Sequence, residues 1–76
     1  MERAFVCVTA RPPSVQKVAE EIKAVDGVES TYMMAGVYDL CFDVKKATLD
    51  ELKYVIEKIS RMNDVRASLT LFRGWK

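Results

Sequence analysis

Histidine is missing from this chain, and cysteine, proline and glycine are scarce: two, two and three among 76 residues. Without an imidazole, histidine acid–base chemistry and histidine metal sites are excluded. The two cysteines, Cys7 and Cys41, each sit inside an apolar strand-like run, with no Cys-x-x-Cys spacing and no secreted cysteine framework. They read as buried thiols rather than as a redox pair. A metal carrier would want Cys-x-x-Cys in its first loop, where this chain has RPPS. No paired acid and base marks a catalytic pocket, so the expectation is a chain that is not an enzyme, with no metal and no cofactor.

An excess of either charge is also lacking. Twelve basic side chains face 11 acidic ones, and the bases are scattered rather than gathered into a patch. Such a chain has little with which to neutralise phosphates, so no direct nucleic-acid partner is expected. Nor is there a long apolar run. MER leads straight into AFVCV, too short for a signal-peptide core or a membrane span, so the expectation is a cytoplasmic address and no membrane partner.

What is present fits one domain, residues 1–76, near the size at which a single core yields only a few kcal/mol of net stability. Association with further copies is the expected source of help. Residues 3–9, RAFVCVT, read as a strand that RPP breaks, because prolines cannot continue a ladder. Ser14 is a candidate N-cap for a helix whose apolar positions are Val15, Val18, Ala19, Ile22 and Val25. Asp26 and Gly27 supply its left-handed stop. Residues 28–35 and 38–45 read as two strands of a hairpin around Gly36. Thr48 and Glu51 form a capping box before the stripe Leu49, Leu52, Val55, Ile56 and Ile59; MND ends that helix, and residues 65–72 form the last strand before the tail RGWK.

The order β-α-β-β-α-β, with Ile22 preceding Val28 as Ile59 precedes Val65, suggests two interleaved βαβ halves. Right-handed crossovers then give an α+β, ferredoxin-like sandwich: a four-stranded antiparallel sheet with two helices on one face. Alternation along the strands predicts which side chains meet the helices: Val6, Val8, Leu40, Phe42, Val44, Val65, Ala67, Leu69 and Leu71. The opposite, open face should carry Phe5, Cys7, Thr9, Asp39, Cys41, Asp43, Ser68, Thr70 and Phe72. Phe5, Cys7, Cys41 and Phe72 together make a patch of a kind monomers seldom leave wet, so dimerisation through this face is expected.

The motif GVYDL at residues 36–40 stands between a helix ending in DGV and the run TLDELKYVIEKI, followed by NDVRASLTL. In that setting the chain resembles the effector-binding (RAM) domain of Lrp/AsnC-type transcriptional regulators over nearly its whole length. The helix-turn-helix domain usual in that family is not seen in the sequence, which therefore reads as a stand-alone version. The resemblance implies dimers packed sheet to sheet, rings of them such as octamers or decamers, and a free amino acid held near the Gly-x-Tyr-Asp loop. Full-length Lrp/AsnC regulators are implied as possible partners.

The expected ligand residues are Met34, Gly36, Val37, Tyr38, Asp39, Ser68 and Thr70. Gly36 also suits a positive φ in the hairpin, and Tyr38 shares the parity of the core residues Leu40 and Phe42. Asp39 is the pivotal residue, because a carboxylate at the mouth of a strand needs a donor. A ligand ammonium would serve; so would a turn cap or an intersubunit salt bridge. Ser68 and Thr70 offer hydroxyls, while Met34 and Val37 can line an apolar pocket. Two further readings share the fold: a small dimeric enzyme of the monooxygenase type, and an ACT-like allosteric domain, which usually carries its glycine site after the first strand.

Overall fold

The computed structural model describes residues 1–73, so the tail read as RGWK lies, beyond Arg73, outside the described residues. The first strand, β1 (Glu2–Ala10), stops where Pro12 and Pro13 enter a single 3-10 turn, Pro12–Ser14. Helix α1 (Val15–Lys23) follows. Ser14 is its N-cap residue but makes no side-chain cap hydrogen bond. Gly27 turns the chain at φ +105, where a Cβ would meet the Lys45 carbonyl at 3.1 Å and the Lys46 side chain at 2.8 Å. Glycine is therefore required there both for its dihedral and for its bulk.

Strands β2 (Val28–Met33) and β3 (Leu40–Lys46) come next, then α2 (Leu49–Ser60) and β4 (Val65–Arg73). The capping box forms as expected, with Glu51 N donating to Thr48 Oγ1 at 3.2 Å and Thr48 N to Glu51 Oε1 at 3.3 Å. Thr48→Ala should lower stability by about 1 kcal/mol, a midpoint drop of about 4–8 °C for a domain of this size in thermal unfolding. An unchanged midpoint would mean that water replaces the cap at no cost.

All pairings are antiparallel and the order is β2-β3-β1-β4, the ferredoxin-like arrangement expected, which makes β1 and β3 central. Val6, Val8, Leu40, Phe42 and Val44 from these two strands meet Val18 and Ile22 of α1 and Leu52, Val55 and Ile59 of α2 in one core. Burying each of these side chains is worth roughly 1.5–3 kcal/mol, so the two central strands and the two helices share the packing energy. At the far end, Arg11 ties the start of β4 to the end of β1. Its N–H donates to the Asp64 carbonyl at 2.8 Å and its Nε to Asp64 Oδ1 at 2.9 Å. The Arg11 guanidinium hydrogen bond is the main reason the Asp64 carboxyl is held below the ordinary range.

The pairing of β4 corrects the expected faces. Ala10 is opposite Val65, but Thr9 is opposite Ala67, so β4 carries a one-residue bulge near its start. An inserted residue inverts the parity of everything after it. Val65 still meets the core, but Ser68 and Thr70 stand opposite Val8 and Val6, and Phe72 opposite Ala4, on the helix side of this edge strand. Ala67, Leu69 and Leu71, expected to face the helices, stand opposite Thr9, Cys7 and Phe5 on the open face.

Candidate functional site

The loop between β2 and β3 is longer than the hairpin read from the sequence, because β2 stops at Met33 and β3 begins at Leu40. Its last rung is Met34 N to Asp39 O at 2.8 Å. Gly36 sits at its tip with φ +142 and open space around it, a dihedral that suits glycine and strains other residues.

Asp39 is where the ladder between β1 and β3 gives out. Its N–H still donates to the Val8 carbonyl at 3.0 Å. One step on, the chain has turned into the loop, and Ala10 N–H donates to Asp39 Oδ2 at 2.9 Å instead of to a strand carbonyl. The side chain thus stands in for a missing rung and satisfies a donor that would otherwise be unpaired at the sheet's end. Thr9 Oγ1 makes a second tie, donating to the Val37 carbonyl at 3.0 Å. Of the readings open for Asp39, a structural tie is therefore present. Among the described residues its other oxygen, Oδ1, accepts no hydrogen bond.

Around this held loop the surface is apolar. Met33, Met34 and Val37 are 61, 49 and 81 % exposed, while Tyr38 and Asp39 are half-buried. Five of the expected ligand residues, Met34, Gly36, Val37, Tyr38 and Asp39, are thus brought together in one loop. Ser68 and Thr70 are not: they lie on β4, separated from β3 by β1 and turned to the sheet's other side.

The open face is built in rows across the strands. One row reads Tyr32, Cys41, Cys7, Leu69, and the next Ser30, Asp43, Phe5, Leu71. Tyr32, Leu69 and Leu71 are 46, 43 and 54 % exposed, and Phe5 leans on the Tyr32 ring at 6.2 Å between centroids. Tyr32 Oη also approaches Asp43 Oδ2 at 3.4 Å. Reasoning from the sequence found Phe5 and the cysteines but missed Tyr32, Leu69 and Leu71, and it placed Phe72 here wrongly.

The cysteines need a second correction. Cys7 and Cys41 are direct partners in the β1–β3 register, with Cα atoms 4.0 Å apart, and they form a disulfide rather than two buried thiols.

On the helix side, a concavity of about 470 Å³ is lined by Val25, Asp26, Lys46, Asp50, Glu51, Tyr54, Val55 and Lys58. Lys46 Nζ and Asp26 Oδ2 are paired across it at 2.9 Å, which lowers the Asp26 pKa and raises that of Lys46. It contains no residue of the β2–β3 loop, and the loop is the better candidate because its backbone and carboxylate are held in place by named bonds.

The profile of the Lrp/AsnC ligand binding domain matches residues 3–73. The chain belongs to this family. A helix-turn-helix-type transcriptional regulator of Pyrococcus furiosus, itself uncharacterised, is 33 % identical over 72 residues, covering 90 % of this chain and 48 % of its own. The domain thus spans about half the length of that curated relative. The crystal structure of a Thermus thermophilus protein matches with a TM-score of 0.91 at 30 % identity, over 100 % of this chain and 96 % of that one. A feast or famine regulatory protein from M. tuberculosis, complexed with L-methionine, has the same fold, with a TM-score of 0.79 at 23 % identity over 96 % of this chain and 50 % of its own. The family profile is that of a ligand binding domain, and the Pyrococcus furiosus relative is named a transcriptional regulator. Among the described residues no helix is long and apolar enough to cross a membrane.

Proposed function

We propose that this Lrp/AsnC domain is the effector-binding and assembly module of an amino-acid-responsive regulator, which pairs through its open sheet face and takes a free amino acid at the β2–β3 loop. The observation that carries the ligand half is the divided carboxylate of Asp39. One oxygen is fixed by Ala10 N–H, while Oδ1 has no partner among the described residues, and Asp39 closes a loop rich in exposed apolar side chains. A fixed carboxylate with a free oxygen suits an ammonium group, Met34 and Val37 suit an aliphatic or thioether side chain, and Gly36 lets a ligand lie against backbone. The relative complexed with L-methionine fits this reading. Ser68 and Thr70, on the helix side, take no part in it.

The assembly half is carried by Tyr32, Leu69 and Leu71 standing exposed beside Phe5 and the cysteines, an apolar sheet face that a second copy would cover. Closed rings of such pairs, octamers or decamers, would bring loops of neighbouring dimers together. With a formal charge of +1, the domain supplies little attraction for DNA. It would reach an operator through a full-length family member paired with it.

Calorimetric titration with single amino acids, including methionine, tests the ligand site. Asp39→Asn keeps a carbonyl able to accept from Ala10 N–H but removes the charge, so binding should weaken by roughly 1.5–3 kcal/mol while the fold holds. Asp39→Ala should lose both the ligand and the loop tie. If the asparagine variant binds as tightly as the parent, the carboxylate serves only the backbone.

A further inference from the structure

We propose that the Cys7–Cys41 bridge is a reversible thiol–disulfide site, open to a small dithiol in the separated chain and closed to it in the assembled one. The inference rests on the reading that a second copy covers the open face.

The bridge occupies the middle of that face rather than the core. Tyr32 flanks it on the β2 side and Leu69 on the β4 side, with Phe5 and Thr9 to either side along β1. From the helix side it is unreachable, because Val6, Val8, Leu40 and Phe42 beneath it are fully buried. In the single chain Cys7 is 8 % exposed and Cys41 2 %, so what solvent contact the bridge has comes through the open face. Thiol–disulfide exchange requires an attacking thiolate to touch one of the two sulfurs. A second copy lying on Tyr32, Leu69 and Leu71 removes that approach, whatever the reagent.

The chemistry needs only a dithiol. Its thiolate attacks one cysteine sulfur, forming a mixed disulfide and expelling the other cysteine as thiolate. The reagent's second thiol then closes on its own sulfur, expelling the second cysteine. Two electrons and two protons pass to the chain, and the reagent leaves as a cyclic disulfide. A small-molecule disulfide reverses the exchange. Redox state and assembly are thereby read at the same surface: the chain is reduced only while it is apart, and it loses its β1–β3 cross-link at the centre of the face that receives the second copy.

The test treats the parent chain and Leu71→Asp with dithiothreitol over a series of concentrations whose association state is fixed by sedimentation. Aliquots are quenched with iodoacetamide and weighed as intact chains to count freed thiols. Reduction of the parent should slow at least tenfold as it assembles, and Leu71→Asp should react at the fast rate throughout. Equal rates for assembled and separated parent would overturn the proposal while leaving the pairing intact, as would two alkylated cysteines before any reductant is added. A parent that sediments as a monomer at every concentration would instead remove the pairing on which the proposal stands.

Discussion

Leu71→Asp should give a folded monomer under conditions in which the parent chain is a dimer. Leu71 lies on the edge strand β4 and is 54 % exposed, so it contributes little to the chain's own core. An aspartate there costs the isolated domain almost nothing. In a face-to-face pair the same carboxylate would be desolvated among Phe5, Leu69 and Tyr32 and their counterparts, while Arg3 and Lys45, in the next row of the face, are already paired with Glu29. An unpaired buried charge costs several kcal/mol, about 3–5, enough to lower association a hundredfold or more. Analytical ultracentrifugation at micromolar concentration reads the outcome directly. Phe5→Asp is the less clean experiment, because Phe5 is half-buried on a central strand and the change would strain the fold as well. A Leu71→Asp chain that sediments like the parent would place the pairing surface elsewhere.

Why Leu71 rather than Phe72 is the residue to change could not be read from the sequence. Alternation assigned the faces of β1 and β3 correctly because those strands pair in unbroken register from Glu2 opposite Lys46 to Val8 opposite Leu40. Counting by twos from Val65 failed on β4 because Arg66 falls at a bulge, and a bulge leaves no mark in an apolar pattern that Val, Ala and Leu satisfy in either parity. The helices were legible for the opposite reason. Their stripes are long, and the stop of α1 at Gly27 and the start of α2 at the Thr48 capping box are chemically explicit.

The loop was legible in composition but not in mechanism. Gly36 announced a positive φ, and Asp39 announced a carboxylate in need of a donor. That the donor is Ala10 N–H follows only once β3 is seen to end one rung short of β1, since alternation describes side chains facing each other and not a side chain replacing a backbone carbonyl. The cysteines show the same limit. Equal facing on neighbouring strands was evident, but whether they stand directly opposite depends on a register that a sequence separation of 34 leaves open.

That sequence separation sets the scale of the largest effect expected on stability. A cross-link closing a loop of 34 residues removes unfolded-state entropy worth about 3–4 kcal/mol. A domain this small has only a few kcal/mol more than that to lose. The double variant Cys7→Ala, Cys41→Ala should therefore melt about 12–32 °C below the oxidised parent. Alanine is the suitable replacement, because both positions are buried and a serine hydroxyl would add an unsatisfied donor to the loss. The comparison must be made at one protein concentration, since pairing raises the apparent midpoint of both chains. Adding dithiothreitol during the melt should bring the parent down towards the variant and leave the variant where it was. That convergence separates the cross-link from packing: if the two midpoints differ equally with and without reductant, the sulfurs matter by their volume alone, and if they coincide without it, the bridge contributes nothing to holding β1 against β3.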